Sequence, residues 1–241
     1  MNKASRPAGT EFRKSFRDLL RLFRRVGPYV FPFLLFCIFL AVQNRIPLSP
    51  EVEQPLRIAI LTGALWIFSR DVIDLRSSQL GWSTLLGVAV FVVWVIPDLL
   101  FPGYRESVLF QNDVLGHIRN SLPEAALANP VVLWSRILRA VVLVPIIEEL
   151  FWRAFLMRWL INPHFEEVKL GAYRPVAFWV TAILFASEHG PYWDVGLAAG
   201  LLYNWWMVRT RTLGDCILAH AVTNACLCGY VVATHRWEYW L

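Results

Sequence analysis

Charge is scarce in this chain. Asp, Glu, Lys and Arg make up 17% of its 241 residues while 57% are hydrophobic. Soluble domains carry about 25% charge and 45–50% apolar residues, so an ordinary water-soluble domain is excluded. Cysteine is sparse as well. Cys37, Cys216, Cys226 and Cys228 all sit in apolar runs, and none forms a CxxC pair. Disulfide and cysteine-zinc readings are therefore weak, and the thiols read as small buried hydrophobes. No stretch alternates with period two, which removes a transmembrane β-barrel. There is no internal repeat, no low-complexity tract and no evident cleavable signal segment. HExxH is absent, and with it the zinc-protease helix. GxSG is also absent. Leu213-Gly214-Asp215 lacks the first glycine of a GxGD pattern, and Asp194 lacks a preceding tyrosine.

What is present is long apolar blocks. A membrane-spanning helix needs about 20 such residues, with a range of 17–25. Blocks run over 26–42, 56–68, 80–100, 131–160, 175–189, 195–208 and 213–233. The fold class is all-α, a polytopic transmembrane helix bundle of about seven to eight spans. The block 131–160 is too long for one straight span. Its start reads as interfacial, and Pro145 is expected to kink it and free a backbone carbonyl. Residues 1–25 read as a basic amphipathic cytoplasmic segment, with Phe12, Phe16, Leu19, Leu20 and Phe23 at helical spacing for an anionic lipid surface. Residues 26–241 read as the membrane-embedded domain, with a catalytic core at about 138–233.

The basic residues set the expected orientation. Eight of the 23 lie before residue 26. With the N-terminus inside and seven spans, 15 fall inside and 7 outside, and Arg153 is intramembrane. That bias matches the positive-inside rule and predicts a cytoplasmic N-terminus. The same cluster beside a first span reads as a membrane anchor, so no nucleic-acid partner is expected. Gly196, Ala199 and Gly200 form a small-residue stripe, read as close helix packing.

The charges that remain in the apolar blocks are informative. Glu148, Glu149 and Arg153 share one membrane helix, at roughly 2.5 to 3.5 kcal/mol each on insertion scales. Glu149 and Arg153 are i,i+4 and face each other. Glu148 has no cation at helical spacing, which leaves it available as a base. Phe185 and His189 are i,i+4, and so are His220 and Asn224. A carboxylate and a histidine that deprotonate water suit hydrolysis. A histidine and an asparagine one turn apart suit a developing oxyanion. Two other readings use the same residues: a purely structural ion network, and a zinc set of Glu148, His189 and His220.

Glu148-Glu149-x-x-x-Arg153, Phe185-x-x-x-His189 and His220-x-x-x-Asn224, in that order, resemble the three-motif pattern of the CPBP family, which contains the CAAX prenyl endopeptidases. The wording Glu-Glu-Leu-Phe-Trp-Arg and Leu-Ala-His-Ala-Val-Thr-Asn is similar to a bacterial CAAX prenyl protease-related group associated with exosortase sorting systems. The resemblance covers about residues 140–230. It implies an intramembrane glutamate endopeptidase of a bacterial inner membrane. Glu148 and His189 would activate water, His220 and Asn224 would hold the oxyanion, and Glu149 and Arg153 would support the site. No cofactor and no metal is implied. The implied partners are a protein or peptide substrate, membrane lipid and an exosortase-type system. The competing expectation is a non-catalytic membrane scaffold for a protein-sorting system.

Overall fold

The structure, a computed structural model, describes residues 8–42, 45–118 and 122–240, with side chains of the first helix from Arg21 onward. Lys3, Arg6 and the aromatic residues Phe12 and Phe16 of the basic segment lie outside the described side chains. The regular structure among the described residues is helical, apart from one isolated bridge between Asn112 and Gly116. Seven main elements follow in order: α1 (Ala8–Val42), α2 (Pro50–Ala64, continued by a π turn Leu65–Ser69), α3 (Leu80–Leu100), α4 (Pro130–Trp159), α5 (Pro175–Ser187), α6 (Trp193–Thr210) and α7 (Leu213–Thr234).

Local chemistry sets several boundaries. Pro50, Pro130 and Pro175 each open a helix, where the missing N–H costs nothing. Asn129 caps α4 by accepting from the Val131 amide at 2.9 Å. From Ala8 onward the basic segment and the first span form one unbroken helix, α1.

Four helices are long and apolar enough to cross a membrane: 21–42, 80–100, 130–159 and 213–234. The outward faces support the same conclusion, since Ile38, Leu85, Val92, Val176 and Ile183 are exposed. Apolar belts of this extent need lipid to cover them. The protein is an integral membrane protein. α2 carries Glu53 and Arg57, which pair with each other inside the bundle. α5 has 13 residues and is too short to span alone. α4 is one continuous helix of 30 residues, about 45 Å long. It exceeds a 30 Å hydrocarbon layer and is bent by π turns at Arg139–Leu143 and Leu150–Leu156. It does not divide into two spans.

Both ends of the bundle are tied by polar knots. At one end Asp215, in the first turn of α7, accepts from Ser77 Oγ (2.5 Å), Ser78 Oγ (2.6 Å), the Gln79 amide (2.9 Å) and Ser83 Oγ (3.0 Å). Gly214 permits this approach, because a Cβ there would lie 2.3 Å from the Arg76 carbonyl oxygen. Arg25 pairs with Glu166 at the same end, at 2.7 and 2.6 Å. At the other end Arg105 donates to Asp98 (3.0 Å), Asp194 (2.7 Å) and the Pro191 carbonyl (2.8 Å). Asp194 and Asp215 are thus structural anchors. α3 packs along α7, and α5 along α6. Gly87 lets α3 and α7 touch, since a Cβ there would lie 2.4 Å from the Ala219 carbonyl oxygen.

Candidate active site

The site begins with a defect in α4. The Val144 amide donates to the Arg139 carbonyl, the i→i−5 spacing of a π turn. The next bond in that register would join residue 145 to the Ala140 carbonyl. Pro145 has no N–H, so this carbonyl is left over. Asn224 of α7 takes it, with Nδ2 donating at 2.8 Å. A proline in one helix thus creates the acceptor that fixes an asparagine in another.

One turn further along α4, Glu149 and Arg153 are both fully buried. Arg153 Nη1 donates to Glu149 Oε1 at 3.1 Å. Its Nε donates to Asn204 Oδ1 at 3.0 Å, and its guanidinium lies 4.5 Å from the centre of the Phe185 ring. Glu149 Oε1 also receives His220 Nδ1, at 2.9 Å. This carboxylate therefore orients α7 as well as neutralising its own helix. With Nδ1 held there, His220 turns Nε2 toward Glu148, 4.0 Å from Oε2.

Glu148 is 5% exposed, and its Oε2 has no hydrogen-bond partner among the described residues. A buried, unsatisfied carboxylate oxygen is costly and calls for an explanation. It borders a cavity of about 410 Å³ that Glu188, His189, His220 and Asn224 also line. α5 ends at Ser187, and His189 lies just beyond it. His189 Nδ1 meets the Phe185 carbonyl at 2.8 Å. Only a donor can satisfy that carbonyl, so Nε2 is the acceptor left for the cavity. One oxygen of Glu148, one of Glu188 and one nitrogen of His189 lie within 4.8 Å of one another. A single water reaches two groups at that separation with ordinary hydrogen bonds.

Residues 130–226 match the family model described as Type II CAAX prenyl endopeptidase Rce1-like. That segment, under half of the chain, is similar to the Rce1-like family. No curated protein and no solved structure matches the chain. The matched family is one of proteases, which supports an enzyme of that kind in an integral membrane protein.

The matched segment runs from α4 into α7 and holds all six residues singled out above. Five of them meet around one buried centre. Arg153 stands one layer back and reaches the centre through Glu149. Two members escaped the sequence reading. Glu188 precedes His189 directly and accepts from Trp152 Nε1 at 3.0 Å. Its only signal was a charge beside a motif histidine. Asn204, on α6, had none. The residues able to hold a metal also differ from the expected set: Glu148, Glu188 and His189 cluster, whereas His220 turns to Glu149. The small-residue stripe is used twice. A Cβ on Gly196 would lie 3.2 Å from the His189 ring, and one on Gly200 would lie 3.1 Å from Phe185.

Proposed function

We propose that this protein is an endopeptidase that hydrolyses a peptide bond of a protein substrate with water activated by Glu148 and His189. The observation that carries the reading is Glu148 at the cavity, with a buried unpartnered Oε2 and one carboxylate oxygen within 4.8 Å of Glu188 and His189. A water held between them loses a proton to Glu148 as its oxygen bonds to the substrate carbonyl. General base assistance of this kind contributes typically 10²- to 10⁴-fold. The carbonyl oxygen becomes an oxyanion. Asn224 has one Nδ2 hydrogen left after Ala140, and His220 can donate from Nε2 when both of its ring nitrogens carry hydrogen. These two donors stabilise the charge. The proton on Glu148 then passes to the leaving nitrogen as the C–N bond breaks. Glu149 and Arg153 hold His220 and the helix in place.

We further propose a bacterial inner membrane location with a cytoplasmic N-terminus, and an exosortase-type sorting system as the cellular context. Cysteine labelling from either face of the membrane tests the orientation. Comparative proteomics of substrate termini tests the activity. Cells carrying Glu148→Gln or His189→Ala should accumulate uncleaved substrates, while cells with the wild type should not. Identical termini in all strains would leave the scaffold reading standing.

A second reading rests on the cluster of Glu148, Glu188 and His189. Two carboxylates and an imidazole form an acceptable set for a divalent metal. Turnover that survives exhaustive chelation supports the metal-free route. Turnover lost to chelation and restored by zinc or manganese supports the metal.

A further inference from the structure

His189 sits where its own helix gives little support. It lies beyond the last residue of α5, and a single turn, Gly190–Tyr192, separates it from α6. The earlier half of the chain grips that turn. Gly190 has a left-handed φ of 51°, and a Cβ there would lie 2.7 Å from the Leu115 carbonyl oxygen, in the loop that follows α3. Trp193 Nε1 donates to the Leu109 carbonyl of the same loop at 2.9 Å. Arg105 holds the turn itself. Its Nη1 donates both to the Pro191 carbonyl, at 2.8 Å, and to Asp194 Oδ1, at 2.7 Å. Its Nε donates to Asp98 of α3 at 3.0 Å, and its guanidinium lies 4.3 Å from the centre of the Tyr192 ring. Trp94, one turn before Asp98 on α3, meets the His189 ring edge to face at 5.2 Å. The gripping residues from Trp94 to Leu115 all precede residue 130, where the family match begins.

We propose that Arg105 is a positioning residue for the reaction: by fixing the turn at Pro191 it keeps the His189 imidazole on the water that Glu148 also reaches. The inference rests on the proteolytic reading above. Tying α3 to α6 requires only the bridge Asp98–Arg105–Asp194. The bond to the Pro191 carbonyl is not needed for that tie. It is made two residues from His189, and it sets the direction in which the chain leaves α5. Three acceptors around one side chain suit the rigid, planar fork of a guanidinium. A lysine ammonium keeps the positive charge between the two aspartates, but as a compact charge on a flexible stem it does not fix the carbonyl as well. Trp94 closes the other side by resting on the ring. Placement of this kind matters to rate, because a shift of about 1 Å in a reacting group can cost about 10²-fold.

The test uses the full chain in detergent, labelled with ¹³C and ¹⁵N in histidine alone. The chain has five histidines, so their ring signals can be assigned by single substitution. Arg105→Lys keeps the charge and should unfold near the wild-type midpoint. Its His189 signals should move, while those of His164 and His220 stay in place. Turnover of a peptide from a cleaved substrate should lose about tenfold to a hundredfold in kcat. Arg105 is not among the residues lining the cavity, so KM should stay close to wild type. Asp98→Asn alters neither the turn nor Arg105 itself. It should move the same signals by less and lower kcat a few fold, and it decides the matter if Arg105→Lys does not fold. Unmoved His189 signals in the folded variants overturn the proposal whatever the rate, as does a lower rate explained by unfolding alone. Equal movement of His164, His189 and His220 also overturns it, in favour of a general structural role. Movement confined to His189 in a protein whose wild type cleaves no peptide supports the positioning by Arg105 and overturns the protease reading instead.

Discussion

Glu149 is the residue whose loss the bundle should feel most. It is fully buried and its Oε1 serves two helices, receiving Arg153 from α4 and His220 from α7. In Glu149→Ala the guanidinium keeps Asn204 and the Phe185 ring but loses its counter-ion. Removing one partner of a buried ion pair costs about 3–5 kcal/mol. His220 Nδ1 also loses its acceptor, about 1–3 kcal/mol for a buried donor. The sum reaches a large share of the 5–15 kcal/mol typical of a folded domain. Glu149→Gln keeps the shape and one acceptor oxygen and should lose roughly half as much. Denaturant unfolding of purified protein in micelles measures both variants. A cycle with Arg153→Met isolates the pair, and the double variant should be less damaged than the two single losses added together. If Glu149→Ala unfolds at the wild-type midpoint, the carboxylate is not what holds α4 to α7, and the division of labour between the glutamates fails.

Three further outcomes follow from the geometry. Gly196→Ala should press a methyl group against the His189 ring and lower kcat about tenfold or more, with melting within a few degrees of wild type; unchanged kcat would show that the ring has room to give. Pro145→Ala should supply the amide that the Ala140 carbonyl lacks, raising the melting temperature while lowering turnover through a displaced Asn224, and a rise in both would contradict the Asn224 assignment. The side-chain hydrogen bonds from Arg25 hold the Glu166 carboxyl below its ordinary value. A lowered carboxylate contributes stability above its unfolded pKa, about 4.3, and loses it as pH falls through the lower folded value. Glu166→Gln should therefore differ from wild type by a small constant offset between pH 5 and 8, with the difference vanishing only in acid; an offset that changes across the neutral range would refute the assignment.

Much of the fold was legible because membrane helices announce themselves. The blocks at 80–100 and 213–233 coincide with α3 and α7 within a residue. The i,i+4 spacing of Glu149 and Arg153 needs only helical periodicity to be read. Cross-helix partners were not legible. Nothing in the spacing of His220 says that its Nδ1 meets Glu149 rather than Glu148. The apolar block 175–189 placed His189 on a helix, whereas the short α5 ends at Ser187 before it. A turn through Gly190, at φ 51°, carries the chain into α6 and sets the imidazole at the cavity. Pro145 pointed to a freed carbonyl, but which one depends on the π register of residues 139–143. Glu188 was passed over, since its role exists only where helices come together around the cavity.

The central claim is that Glu148 is retained for chemistry at a cost in stability. A paired measurement on purified Glu148→Gln protein tests it: cleavage of an identified substrate, and unfolding in the same detergent. Neutralising an unpartnered buried carboxylate should leave the protein at least as stable as wild type while turnover falls by roughly 10²- to 10⁴-fold. Cleavage near the wild-type rate, or loss of activity explained by unfolding alone, would contradict it.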